Sequence, residues 1–307
     1  MKLLIALIAL TLGWLAGRQL RDLKHSVIHT WFARLMGTSG HPLRPVVLTL
    51  VPGMAVTVLY LFLLNHGWVF SAAISALIAL VFAWGSRDLD ADVRQFLTAE
   101  TEPNRAQAAE RLLMGYFPVR QPRDLVDTET VADESAAPDT PWPVTTERLV
   151  EGVFYQALTR WFGALFWFLL AGPGGAVSFR FLHALLSEER NFQLLSPQQQ
   201  AAGRRWLARV DWPAAVLASA GLAMVGDFDR VAKGGRRLSR TFGWRNLARD
   251  VWPKLGALTV VSAPDDAFEH DFSGAPGRVN LAMNLVWRVL VCWLTVAALV
   301  TVVMVIN

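Results

Sequence analysis

The chain has 307 residues, of which 53% are hydrophobic and 18% charged, against roughly 25% charged residues in a soluble protein; with a mean hydropathy of +0.35, this excludes an ordinary soluble enzyme. The net charge of +4 comes from Arg and Lys in loops beside apolar blocks, where they orient a membrane chain, so nucleic acid is not the expected partner. The single cysteine, Cys292, rules out an intrachain disulfide and any thiol or zinc cluster built from cysteines.

In chain order, the first apolar run is Leu3 to Ala16, short for a span and preceded by Lys2. It reads as a retained helix, with a cleaved or interfacial segment as the alternative. Arg18 to Arg44 is helical and basic and faces the cytoplasm by the positive-inside rule. Val46 to Leu64 and Trp68 to Trp84 contain no charge and are joined by Asn65-His66-Gly67, so they form a hairpin that crosses out and back. Pro52 can kink the first of them, and neighbouring helices can satisfy the backbone group it frees.

The polar segment 85–160 follows and is expected in the cytoplasm. Leu89, Val93, Phe96 and Leu97 mark one amphipathic helix; Ala108, Leu112 and Leu113 mark another after a break at Pro103-Asn104. Residues 120–144, rich in Asp, Glu, Pro, Ser and Thr, read as a flexible loop. Trp161 to Phe179 is an apolar block interrupted by Gly172-Pro173-Gly174-Gly175, which predicts a broken or re-entrant helix. Pro213 to Val225 is a shorter apolar run. The segment 227–284 is basic to Lys254, then acidic from Asp265 to Asp271, and is placed in the cytoplasm; Val289 to Ile306 is the last span. The expected fold is all-α: one polytopic membrane domain over residues 1–307, with about four to six membrane helices, amphipathic cytoplasmic helices and the broken helix.

Few constellations carry chemistry. Backbone amides of the glycine run and the guanidinium of Arg180 can meet a phosphate or carboxylate, although a kinked span with a snorkelling arginine accounts for the same residues and is favoured. Glu151 and Arg160 precede this block and Asp211 opens the next apolar run, so a chain folded back at the glycines would bring Arg180 toward Glu151 or Asp211. The candidate ligand-binding set is therefore Glu151, Gly172, Pro173, Gly174, Gly175, Arg180 and Asp211. No catalytic residue is assigned, and no metal or cofactor. Asp22, His25 and His29 share a helical spacing that zinc sites use, but a solvated or interfacial face is favoured. Asp265, Asp266, Glu269 and Asp271 read as a solvated acidic loop. His183 reads as a packed core histidine, and Trp31, Trp68, Trp84, Trp161 and Trp287 as interfacial anchors.

Val150 to Leu185, VEGVFYQALTRWFGALFWFLLAGPGGAVSFRFLHAL, resembles the AmpE family and its larger relatives, the CobD/CbiB cobinamide-phosphate synthases. The shared pattern is a Glu, an aromatic Leu-Phe-Trp stretch, Gly-Pro-x-Gly-Ala and the aromatic-Arg pair Phe179-Arg180. Trp206 to Phe228, WLARVDWPAAVLASAGLAMVGDF, also looks like AmpE. The synthases carry polar residues where this chain has Tyr155, Gln156, Thr159, His183-Ala184-Leu185-Leu186 and Pro213-Ala214-Ala215, which removes the ligands expected for nucleotide, metal or amide-forming substrates. The AmpE resemblance implies a non-enzymatic bacterial inner-membrane protein linked to sensing of cell-wall turnover and to β-lactamase induction. The partners it implies are membrane lipid and a muropeptide amidase or cell-wall fragment. The alternative is a membrane enzyme of the CobD/CbiB type, ATP-dependent and amide-forming, with an altered site. Transport is suggested only by the broken helix, and the shortage of acids within the apolar blocks argues against it.

Overall fold

A computed structural model describes residues 5, 21–35, 41, 43–84, 89–113, 145–243, 247–260 and 275–306, and every regular element among them is helical. Leu3 to Ala16 (apart from Ile5), 120–144, Asp265 to Asp271 and Asn307, for which the sequence raised expectations, lie outside these residues. Helix α1 is Arg21–Leu35. Helix α2, Arg44–Asn65, starts with a proline in its first turn, where the missing N–H costs nothing. Pro52 inside α2 cannot donate to the Leu48 carbonyl one turn earlier. The indole of Trp31 on α1 donates to that carbonyl at 3.1 Å instead, so the neighbouring helix satisfies the freed acceptor. His66 and Gly67, the latter at φ 75°, turn the chain directly into α3, Val69–Ala83. The two apolar blocks thus form an antiparallel helical hairpin.

Short amphipathic helices follow, α4 (Leu89–Leu97) and α5 (Glu102–Leu113). Leu89, Val93 and Phe96 of α4 and Ala108 and Leu112 of α5 are buried, the stripes read from the sequence. The break between them is Thr98–Thr101; Pro103 lies in the first turn of α5, where proline initiates a helix.

The chain then forms a central rod that doubles back on itself at Gly172, bringing the Phe179 ring onto Gly163. It consists of α6 (Thr146–Ala157), a π-helical turn π1 (Leu158–Phe162) and α7 (Gly163–Ser187). Of its 42 residues, those before Gly172 form one limb and Pro173 to Ser187 the returning one, so the rod is a helical hairpin and not a single straight helix. The segment 85–160, read as polar, contains in α6 an interior helix: Leu149, Val150, Val153, Phe154 and Ala157 are fully buried. The α7 part is interrupted at Gly172, whose φ of 76° and ψ of −164° belong to neither half of the helix. That region is open essentially to glycine alone. Gly172→Ala is expected to destabilise by about 1–3 kcal/mol, read as a lower unfolding temperature in detergent. Strain is the cause, because a Cβ there would meet nothing within 4 Å.

After a short α8 (Glu189–Phe192), the helix α9 runs Pro197–Val225, so the apolar run Pro213 to Val225 is the second half of a longer helix. Ser196 caps it in a reciprocal capping box with Gln199. Helix α10 (Phe228–Phe242), a second π turn π2 (Leu247–Val251), α11 (Trp252–Val260) and α12 (Ala275–Ile306) complete the described elements. The main core joins α3 to α7 with α9 to α12, and a smaller one joins Ile28 and Phe32 of α1 to Ala79, Val177, Phe181 and Leu185.

Among the described residues three helices are long and apolar enough to cross a membrane: Arg44–Asn65, Thr146–Ser187 and Ala275–Val300; Val69–Ala83 is a shorter apolar helix. Their burial separates their roles. In the most apolar window of the first and third, 17% and 22% of residues are buried, against 61% in the second. The first and third therefore turn Val58, Leu61, Leu299 and Val303 outward, a surface for lipid, while the second is sheathed in protein. The tryptophans divide in the same way. Trp68 is exposed, as an interfacial anchor requires, but Trp84 and Trp161 are buried, and Trp161 packs on Trp287 with ring centroids 4.9 Å apart. Sheathing of the rod by α12 draws these indoles inside.

Candidate functional site

The glycine run serves helix packing. Gly174 of α7 lies against Gly53 and Thr57 of α2, and a Cβ on either glycine would collide with backbone of the opposite helix. Pro173 is buried beside it, and Gly175 lies across the bend at Gly172 from Ala171 and the Trp167 carbonyl. Small residues at a crossing let helix backbones approach when apolar lipid supplies no hydrophobic drive.

The three charged candidates are tied to three different partners. Glu151 on α6 is 2% exposed and accepts from Lys254 Nζ of α11 at 3.1 Å. Asp211 on α9 is buried and accepts from His183 Nε2 of α7 at 2.7 Å. Arg180 pairs with Glu188 at the end of its own helix at 3.2 Å. The expected approach of Arg180 to Glu151 or Asp211 is thus replaced by local pairing. The chain does fold back at Gly172, with Phe179 against Gly163, but the returning limb ends at Ser187 and its C-cap Glu188 meets Arg180 first.

The Arg180–Glu188 pair continues into a chain of hydrogen bonds. Asn191, fully buried, donates to Glu188 Oε2 at 3.0 Å and to the Ala184 carbonyl at 3.1 Å. Its Oδ1 lies 2.9 Å from His29 Nδ1. His29, weighed in the sequence as a zinc ligand, therefore fastens α1 to α8, the short helix that follows α7. Among the described residues no group of three or more His, Cys, Asp or Glu is placed to hold a metal ion.

His183 is a core histidine, 4.5 Å from the Phe179 ring, but one engaged by a carboxylate. An imidazole held in this way has its ring orientation fixed by the hydrogen bond at Nε2. Asp211, Arg249 and Asp250 act electrostatically on the buried hydroxyl of Tyr155, so α6, α7, α9 and π2 converge on one polar region inside the bundle. The π turns supply two of its sides. Arg160 on π1 donates to Asp92 of α4 at 2.8 Å and to Gln156 at 2.9 Å, and Arg249 and Asp250 lie on π2. Wider turns of this kind recur at functional positions in helices. His183→Ala and Asp211→Ala are expected to be non-additive, with a coupling of about 1–3 kcal/mol. A double-mutant cycle on unfolding in detergent reads it, and simple additivity would remove the pair as a unit.

Sequence reasoning missed Lys254, Asp92, Tyr155 and Asp250. One signal was available: Glu151 and Lys254 are each a single charge in an apolar stretch, in Leu149–Val153 and Trp252–Ala257, and a lone charge there calls for a partner. The open depression at the α4–α5 turn, lined by Gln95, Thr98, Glu100 and Asn104, contains none of the candidate residues. Comparison with protein-family models, curated proteins and solved structures finds no match to this chain.

Proposed function

We propose that the chain is an AmpE-like regulatory protein of the bacterial inner membrane, linked to sensing of cell-wall turnover and to β-lactamase induction, and acting without catalysis. The observation that carries this reading is how the buried charges are used. Glu151 with Lys254, Asp211 with His183 and Arg160 with Asp92 each bind one helix to another, which suits a body that transmits a change of packing. The stretch Val150 to Leu185, which carries the AmpE resemblance, is the sheathed part of the central rod. Its expected partners are membrane lipid and a muropeptide amidase or cell-wall fragment.

The proposed crossing number of about four to six adds Val69–Ala83 and Leu3 to Ala16 to the three longest helices, with Pro213 to Val225 re-entrant or interfacial. Asn191 and Gln199, ahead of that run, bond His29 and His41 of the stretch 18–44 and so share its side. In this topology 18–44, 85–160 and 227–254 face the cytoplasm, and Asn65 to Gly67 and Asn307 face outward. Reporter fusions at Ala136 and Asn307 test it, and a cytoplasmic signal at Asn307 overturns it.

Deleting the gene in its host and measuring β-lactamase induction by a cell-wall antibiotic tests the role. Altered induction, restored by the intact chain, is expected. Purified protein incubated with ATP, magnesium and candidate amide-forming substrates is expected to show no turnover; turnover abolished by Glu151→Gln or Arg180→Gln would establish the enzyme reading instead.

A further inference from the structure

Helix α10, Phe228–Phe242, reads FDRVAKGGRRLSRTF. At 3.6 residues per turn its five cations, Arg230, Lys233, Arg236, Arg237 and Arg240, fall within an arc of about 120°, and all five are exposed. The opposite arc holds Val231, Gly234, Leu238 and Phe242. That arc is already occupied: Val231 is buried, Leu238 and Phe242 pack on the main core, and Gly234 lies on Leu255 and Leu258 of α11. The helix therefore cannot sink an apolar face into a bilayer, as a free amphipathic helix does. It presents its cationic face instead.

The acids near it do not neutralise that face. Arg230 lies 3.8 Å from Asp227, the residue that caps the helix. Lys233, Arg236, Arg237 and Arg240 have no carboxylate at ion-pair distance among the described residues. Four like charges on neighbouring turns repel one another, which a fold tolerates when a polyanionic surface lies against them. The position of α10 indicates which surface. It starts immediately after the apolar end of α9, where Leu217, Met224 and Phe228 are 47%, 70% and 66% exposed. Its first turn thus stands at the rim of apolar surface open to lipid.

We propose that the cationic face of α10 binds the headgroups of anionic phospholipids at the cytoplasmic surface of the membrane. The proposal rests on the membrane location of the chain and not on its signalling role. Guanidinium groups fork onto phosphate oxygens, and basic residues held at an anionic membrane surface each add about fivefold to binding. The proposal makes α10 a lipid-reading element docked on α11, whose Lys254 reaches both Glu151 of the central rod and the face of Phe242.

The full chain in neutral detergent, titrated with dioleoyl-phosphatidylglycerol or dioleoyl-phosphatidylcholine and followed by native mass spectrometry, tests this. Phosphatidylglycerol is expected to bind more tightly than phosphatidylcholine. The preference is expected to fall more than tenfold in the variant carrying Lys233→Gln, Arg236→Gln, Arg237→Gln and Arg240→Gln, and to survive when the three arginines become lysine. Single replacements, each expected to cost a few-fold, serve if the fourfold variant fails to fold. Equal binding of the two lipids, or an unchanged preference in the neutralised variants, overturns the proposal. A labelled 20-nucleotide DNA that displaces phosphatidylglycerol at equal phosphate concentration assigns the face to nucleic acid and overturns it as well. Failure of the membrane location is distinguishable, because the chain would then remain monodisperse without detergent.

Discussion

Lys254→Met is expected to lower the unfolding free energy of the detergent-solubilised protein by about 3–5 kcal/mol, the range for breaking a buried ion pair from one side. Glu151 is 2% exposed and lies inside α6, itself enclosed by α4, α5, α11 and α12. The Lys254 ammonium, 3.1 Å away, is the cation that faces it from α11. Without that ammonium the carboxylate must be held charged in a poorly polarisable interior or take up a proton, and both cost stability. The loss is expected to depend on the partner. Glu151→Gln combined with Lys254→Met should recover most of it, because an uncharged amide has far less solvation to lose. Thermal or denaturant unfolding of the wild type, both single variants and the double variant provides the measurement. A loss below about 1 kcal/mol for Lys254→Met, the scale of an exposed pair, would show that Glu151 reaches water.

Gly174→Val is expected to cost more than about 3 kcal/mol, above the usual cost of overfilling a core. The reason is what lies opposite. A Cβ at Gly174 would strike the Thr57 hydroxyl and the Gly53 carbonyl, and a Cβ at Gly53 would lie 2.5 Å from the Gly174 carbonyl. A side chain can change rotamer; the backbone of α2 cannot yield without moving the helix. Separating α2 from α7 would also open the contact that anchors the α2–α3 hairpin to the central rod. Gly235→Ala on α10 is the matched control. A Cβ there meets nothing within 4 Å, and alanine is favoured over glycine in a helix by about 1 kcal/mol, so this change is expected to be neutral or stabilising. Equal losses for the two substitutions, measured by unfolding in detergent, would reject the crossing as the cause.

Much of the helical layout could be read locally. The hairpin through Asn65, His66 and Gly67 follows from two uncharged blocks and a linker too short for anything else. The stripes Leu89-Val93-Phe96 and Ala108-Leu112 follow from the 3.6-residue period, since a helix with one apolar face must bury it. Gly-Pro-Gly-Gly marked the place where α7 departs from helical geometry, because only glycine takes the backbone angles of Gly172 at little cost. The candidate site was legible only as separate residues. Glu151, Arg180 and Asp211 are buried or nearly so, but each is paired with a residue other than the one expected.

By itself the sequence determined the class, an all-helical chain with apolar segments long enough for a membrane, and the positions of several turns, because hydropathy and backbone preference are properties of neighbouring residues. The tertiary structure alone decided that α6 is interior and not part of a solvated segment, and that Trp161 meets Trp287 and leaves the interface. It also decided which charge meets which. Lys254 is 103 residues from Glu151, and Asp92 is 68 from Arg160. No local pattern selects one basic residue among the 29 in the chain; what selects it is the geometry that holds α11 and α4 against the central rod, where a charge removed from water is stable only beside its partner.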